Sequence, residues 1–191
     1  MNPLKCAFGV TLGKFLGFVV RKKGIAIDAD EVKAIIQMPS LRNLREFPGL
    51  QGRLAYIRRF ILNLSGRCQP FTRLLKKDTS FIWDQTCQNV FESIKQYLTR
   101  PPVLTAPTQG GPLILYIAAL ERSLRAMLAQ CNDKGKEKAL YYISWTMVAA
   151  QVNYSSMEKI MSFFRSKIKT LPPIPSDHYD LKGRSVKVYI I

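Results

Sequence analysis

The run Leu113-Ile114-Leu115-Tyr116-Ile117-Ala118-Ala119 constrains the fold more than any other stretch, because it is hydrophobic throughout and carries no charge. Its short length and the preceding loop, Pro107-Thr108-Gln109-Gly110-Gly111-Pro112, make it a buried strand. Two more strand candidates follow, Ser123 to Cys131 and Ala139 to Ser144, with Asn132-Asp133-Lys134-Gly135-Lys136 as the turn between them. Ser155-Ser156-Met157-Glu158 then opens a helix that runs to about Lys169. Leu171-Pro172-Pro173-Ile174-Pro175 ends it as a stiff linker. The tail, Ser176 to Ile191, holds one alternating stretch at Val186-Lys187-Val188-Tyr189.

The first half reads differently. Phe15-Leu16-Gly17-Phe18-Val19-Val20 is rich in β-formers, and Ile25-Ala26-Ile27 alternates. With Arg21-Lys22-Lys23-Gly24 between them, the two form a β-hairpin whose turn carries three cations. Asp28 is placed as a helix N-cap, with Glu31 reaching back as in a capping box and Pro39 ending the helix. Helical spacing continues from Leu41 to Ile61, but Pro48 falls inside it. An interior proline removes a hydrogen bond and costs about 3 kcal/mol, so a break or kink is expected there. Phe71, Leu74 and Leu75 form a short apolar face ending at Lys76-Lys77. Cys87, Val90, Phe91, Ile94, Tyr97 and Leu98 recur in steps of three and four, a helix that Pro101-Pro102 stops.

The expected class is α+β: a hairpin over 1–27, a helical region over 28–100, a mixed sheet with a helix over 112–170, and a tail over 171–191. A boundary is expected between Arg100 and Pro112. The 191 residues carry a net charge of +16, which favours nucleic acid or another anionic surface as partner. No apolar run approaches the roughly 18 residues of a membrane span, and Lys14 interrupts the nearest thing to a signal sequence, so cytosol or nucleus is expected. Cys6, Cys68, Cys87 and Cys131 are scattered and His178 is the sole histidine, which argues against zinc.

Several stretches together resemble the polyprotein of gypsy-type LTR retrotransposons, as found in plants. They are Asn2 to Val10, Gly13-Lys14-Phe15-Leu16-Gly17-Phe18, Leu50 to Ile61, Phe81-Ile82-Trp83, Pro101-Pro102-Val103-Leu104, and Asn153-Tyr154-Ser155 before Glu158. The match is collinear over residues 2 to 169. The resemblance implies the primer grip, thumb and connection of a reverse transcriptase, followed by the start of a ribonuclease H-like domain. It implies RNA-directed DNA synthesis, a nucleotidyl transfer, with degradation of the RNA strand and magnesium as the ancestral metal.

On that resemblance, Phe15, Leu16 and Gly17 lie in the primer-grip hairpin. Ala118 stands where the first nuclease aspartate belongs, and Glu158 matches the second carboxylate. The polymerase aspartates match no residue here. Arg125 replaces a usual glycine and Trp145 a usual arginine; after Lys169 the pattern is lost, so Asp177 and Asp180 inherit no role. Two-metal hydrolysis needs several converging carboxylates, so Glu158 is a lone remnant and its bland role is to cap a helix with Ser155. No catalytic or metal-binding residue and no cofactor are therefore expected. Arg21, Lys22, Lys23, Arg58 and Arg59 are the candidate phosphate contacts, giving weak, non-specific binding of an RNA/DNA hybrid or other nucleic acid. The alternatives are a non-catalytic basic binding module and a relic reading frame.

Overall fold

The computed structural model describes residues 11–22, 24–75, 80–108, 110–167 and 186–191. Three short strands, β1 (Leu12–Phe15), β2 (Phe18–Arg21) and β3 (Gly24–Ile27), form an antiparallel meander in that order. The single strand expected over 15–20 is broken: Phe15 pairs with Phe18, so Leu16 and Gly17 make a two-residue turn. Both have positive φ, 47° and 72°, as a type I′ hairpin turn requires. Arg21 pairs with Gly24, so β2 and β3 form the expected hairpin; Lys23 lies outside the described residues.

Helix α1 (Ala29–Ile36) is capped by Asp28, whose carboxylate accepts from the Asp30 N–H at 3.4 Å. The expected capping box with Glu31 is not what engages Asp28. Its own N–H donates to the Gly17 carbonyl at 3.0 Å, and Lys14 Nζ sits 2.9 Å from its carboxylate. The cap thus ties the helix to the meander.

Pro48 does not break a helix. A 3-10 turn over Leu44–Glu46 leads into α2 (Phe47–Ile57), and Pro48 falls in the first turn of α2, where the missing N–H has no intrahelical acceptor to lose. The break comes at the other end, where Arg58–Phe60 tightens to a 3-10 turn. Short helices α3 (Leu64–Arg67) and α4 (Gln69–Thr72) follow, then a 3-10 turn over Arg73–Leu75. Leu75 itself is exposed, and Lys76-Lys77 lie outside the described residues. Helix α5 (Gln85–Leu98) starts at Asp84, which accepts from the Cys87 N–H at 2.7 Å.

The second sheet contains β4 (Leu113–Ala119), β5 (Ser123–Cys131) and β6 (Glu137–Thr146) in antiparallel sequence, followed by α6 (Ala149–Val152) and α7 (Ser156–Lys167). The stretch that departs from the family pattern supplies one more strand, β7 (Val186–Ile190). It runs parallel to β4, Leu113 beside Val186 and Ile117 beside Ile190, giving the order β6-β5-β4-β7. The linker 171–175, Asp177, His178 and Asp180 lie outside the described residues.

Two hydrophobic cores result. The first gathers Ile35, Leu50, Ile57, Phe60, Phe91 and Leu98. The second gathers Leu113, Leu115, Ile117, Leu124 and Phe163. Each fully buried side chain of this size contributes about 1.5–3 kcal/mol. Trp83 stacks on Phe71 at 5.4 Å in the first core, and Trp145 packs against the second.

Leu104 and Thr105, within the expected boundary stretch, are tied to both sheets. Leu104 exchanges backbone hydrogen bonds with Ile25 of β3, and the Thr105 N–H donates to Ala139 of β6 at 3.0 Å. Gly24 permits that approach: its φ is +148°, and a side chain there would strike the Leu104 carbonyl. Buried Gln130 clamps Thr108 from both sides, accepting from its N–H at 2.7 Å and donating to its carbonyl at 3.1 Å. Polar contacts also cross between the cores. Ser144 accepts from the Ser65 N–H at 3.0 Å, and Ser123 hydrogen-bonds Asn63 at 3.2 Å.

Candidate nucleic-acid interface and the Ala118 position

The structure divides the resemblance-derived residues between two ends of one strand. Leu16 and Gly17 form the turn at the start of β2, while Arg21 and Lys22 stand at its far end. Four residues of strand separate them by roughly 14 Å. Phe15 closes β1 opposite Phe18. The Leu16 side chain is 73% exposed and crowns the first turn. The Tyr56 hydroxyl donates to the Leu16 carbonyl, and its ring stacks on Phe18 at 4.6 Å. A side chain at Gly17 would strike that hydroxyl. Burial raises the Tyr56 phenol above its ordinary value, which keeps it a donor.

Arg59 is part of this cluster. Its guanidinium lies 5.0 Å from the Phe18 ring centroid and 5.6 Å from that of Tyr141 on β6. It is half-buried, spanning the meander and the second sheet. Arg58, one residue earlier, is exposed. Arg21 and Lys22 are exposed too. Among the described residues no carboxylate lies within salt-bridge distance of these three cations.

Ala118 is buried at 6% exposure in β4 and pairs across the sheet with Arg125 of β5. Directly opposed side chains on neighbouring strands have Cβ atoms about 4.5–5.5 Å apart. The residue in register with the expected aspartate is therefore a cation. A cavity of about 280 Å³ opens there, lined among others by Tyr116, Ala118, Arg125, Met127 and Glu137. Glu137 is its one acidic side chain among the described residues, and it accepts from the Tyr116 hydroxyl at 2.8 and 2.9 Å. That bond pushes the phenol up to about 12.

Glu158 does not line this cavity. It sits in the first turn of α7, where its carboxylate accepts from the Ser155 N–H at 2.8 Å and its own N–H donates to Ser155 Oγ at 3.3 Å. This is a reciprocal capping box, and the Ser155 N–H holds the Glu158 carboxyl below its ordinary value. Magnesium demands several oxygen ligands in near-octahedral array. A methyl group, a facing guanidinium and a carboxylate engaged in a cap do not supply them. Among the described residues no group of three or more His, Cys, Asp or Glu is placed to hold a metal ion.

Three arginines with no part in the sequence reading come together instead. Arg67 of α3, Arg73 after α4 and Arg122 of the β4–β5 turn line one open cleft of about 780 Å³. The turn that carries Arg122 is held by Lys159. Its buried ammonium donates to the carbonyls of Leu120 and Glu121 at 3.3 and 3.0 Å. Composition could flag the surplus of cations, but only the fold brings residues 67, 73 and 122 together.

Residues 83–171 match the family described as the RNase H-like domain found in reverse transcriptase. The transposon Tf2-3 and Tf2-4 polyproteins of Schizosaccharomyces pombe are 31% identical over 194 residues, covering 96% of this chain. The chain spans 15% of the length of those relatives. Among solved structures, a foamy viral protease-reverse transcriptase in complex with double-stranded DNA superposes with a TM-score of 0.75 at 20% identity, covering 95% of this chain and 37% of that one. The same kind of enzyme with an RNA/DNA hybrid gives 0.74 at 20% identity, over 94% of this chain and 24% of that chain. These likenesses establish the fold. The relatives come from fission yeast, so the comparisons carry the retrotransposon assignment without the plant origin, and the gypsy type is consistent with them. Residues 83–171 thus resemble the RNase H-like domain found in reverse transcriptase, and the chain as a whole is similar to a segment of the retrotransposon polyproteins, with a reverse transcriptase-like fold.

Proposed function

We propose that this segment serves a reverse transcriptase as a nucleic-acid-holding platform, without nuclease chemistry of its own. The observation that carries the reading is the Ala118–Arg125 pair: the sheet is built, yet a methyl group stands where a metal-binding carboxylate is expected and the residue paired with it across the sheet is an arginine. Arg21, Lys22 and Arg58, which have no carboxylate within salt-bridge distance among the described residues, supply phosphate contacts, together with Lys23, next in sequence to Lys22. Phe15, Leu16 and Gly17 shape the turn facing a primer end, and Arg59 holds that turn against the second sheet. The solved foamy viral relatives are complexes with double-stranded DNA and with an RNA/DNA hybrid, which supports the same class of partner here. DNA synthesis and RNA-strand hydrolysis belong, in this reading, to other parts of the polyprotein.

The test is a salt titration of binding to duplex DNA. Affinity should fall with a log–log slope of about −0.9 per phosphate neutralised, with little sequence preference. The triple variant Arg21→Ala, Lys22→Ala, Lys23→Ala should flatten that slope by up to about three such units. No binding at low salt, or a slope untouched by the triple variant, overturns the assignment of these cations. Cleavage of the RNA strand of a hybrid by the purified chain, lost in Glu158→Ala, overturns the non-catalytic part.

A further inference from the structure

Two open cavities meet along the boundary between the cores. One, of about 280 Å³, reaches from Arg58 past Ser65 and Ser144 to Thr72 and Thr146. The other begins at the same two threonines and ends among Arg67, Arg73 and Arg122. They share Thr72 and Thr146 along a common groove with arginines at both ends; between them the wall is mostly apolar, with Phe47, Leu50, Leu54 and Phe71, and Ser65, Ser144 and the two threonines add hydroxyls.

The far end is poised for a polyanion. All three arginines are exposed, and no carboxylate lines the cleft among the described residues. Each guanidinium is steadied outside it: Arg67 lies over the Tyr97 ring at 5.5 Å, and Arg73 is 3.3 Å from Asp84. Arg122 has only a loose 3.9 Å contact with the well-exposed Glu121, while its turn is pinned by Lys159. The floor is apolar, with Val90, Met147 and Val152. Planar guanidinium forks over a rigid, partly apolar base suit phosphate oxygens.

We propose that the nucleic-acid path continues from Arg58 along this groove, and that Arg67, Arg73 and Arg122 take backbone phosphates at its far end. The proposal rests on the platform reading and extends it by a contact that bridges the two cores. Nucleic acid seated there touches α3 and α4 on one side and the β4–β5 turn on the other, so binding stabilises their relative placement.

The experiment uses the full chain and a duplex DNA probe. Arg122 projects from a turn held through its backbone, so Arg122→Ala should fold, as circular dichroism will check. Its salt slope should fall by about 0.9, an effect of about eightfold on affinity across a tenfold salt range. Bound duplex should also protect Arg67, Arg73 and Arg122 from an arginine-directed dicarbonyl reagent, read by peptide mass mapping. If wild type binds and the Arg21, Lys22, Lys23 variant weakens it, but Arg122→Ala keeps the slope and the arginines stay unprotected, the groove is not the path and the platform reading stands. If wild type does not bind duplex at all, the platform reading itself fails. Equal protection by inorganic phosphate at matched phosphate concentration overturns the proposal in favour of a free-anion site.

Discussion

Removing the Arg59 side chain should loosen the two cores from each other. Its guanidinium faces Phe18 at 5.0 Å and Tyr141 at 5.6 Å, one ring from each sheet. A cation over an aromatic face contributes about 0.5–1 kcal/mol when exposed and about 2 when desolvated. Two such contacts at a half-buried site give about 2 kcal/mol, and the stem adds packing. For a chain of this size that lowers the thermal midpoint by about 4–8 °C. Arg59→Lys keeps the charge but loses the planar stack, so it should restore less than half. Trp83 and Trp145 sit one in each core, so single-tryptophan variants (Trp83→Phe and Trp145→Phe) report each core by fluorescence during urea unfolding. In Arg59→Ala the two transitions should separate; in the parent they should coincide. A double-mutant cycle with Phe18→Leu should return a coupling of about 1 kcal/mol. A stability loss below about 0.5 kcal/mol, with a salt slope of DNA binding reduced by one phosphate, would sink the bridging role and make Arg59 a nucleic-acid contact.

Two further outcomes follow from the same geometry. Ala118→Asp should not create RNA-strand cleavage of a hybrid with magnesium or manganese, because the new carboxylate faces Arg125 and gains no partner carboxylates; measurable metal-dependent cleavage would refute this. The caps Asp28, Asp84 and Glu158 are all held below the ordinary carboxylate range, Asp28 chiefly by Lys14 and the other two by backbone N–H groups. Stability from them is present above the unfolded value near 4 and is lost as pH falls through the lower folded value. Helicity in acid should therefore fall more steeply in the parent than in an Asp84→Asn, Glu158→Gln variant, and superimposable pH curves would count against it.

What the sequence makes legible is what local patterning encodes. The charge-free run at 113–119 is β4 as expected, and the three- and four-residue steps at 87–98 are α5. The Ser155–Glu158 box forms because both partners lie within one turn. Pro48 misleads because its cost applies inside a helix and vanishes in the first turn. The Leu16-Gly17 turn hides because a lone glycine among β-formers reads as strand, and the Tyr56 contact that fixes it lies forty residues away. Arg59 reads as a surface cation beside Arg58 until Phe18 and Tyr141 are seen around it. The cleft arginines are invisible for the same reason, being gathered by packing and not by spacing.

The parallel pairing of β4 with β7 sets an order of events during synthesis. β4, β5 and β6 leave the ribosome close together and can zip through short turns. The other edge of β4 stays open until Val186–Ile190 emerges. Until then an apolar central strand presents unpaired N–H and C=O groups, the kind of edge that recruits a neighbouring nascent chain. Long-range parallel pairing is also slow to form. Newly made chains released before this last strand should thus be the ones that chaperones retain or that aggregate, and the charge surplus elsewhere on the molecule would delay such association without removing its cause.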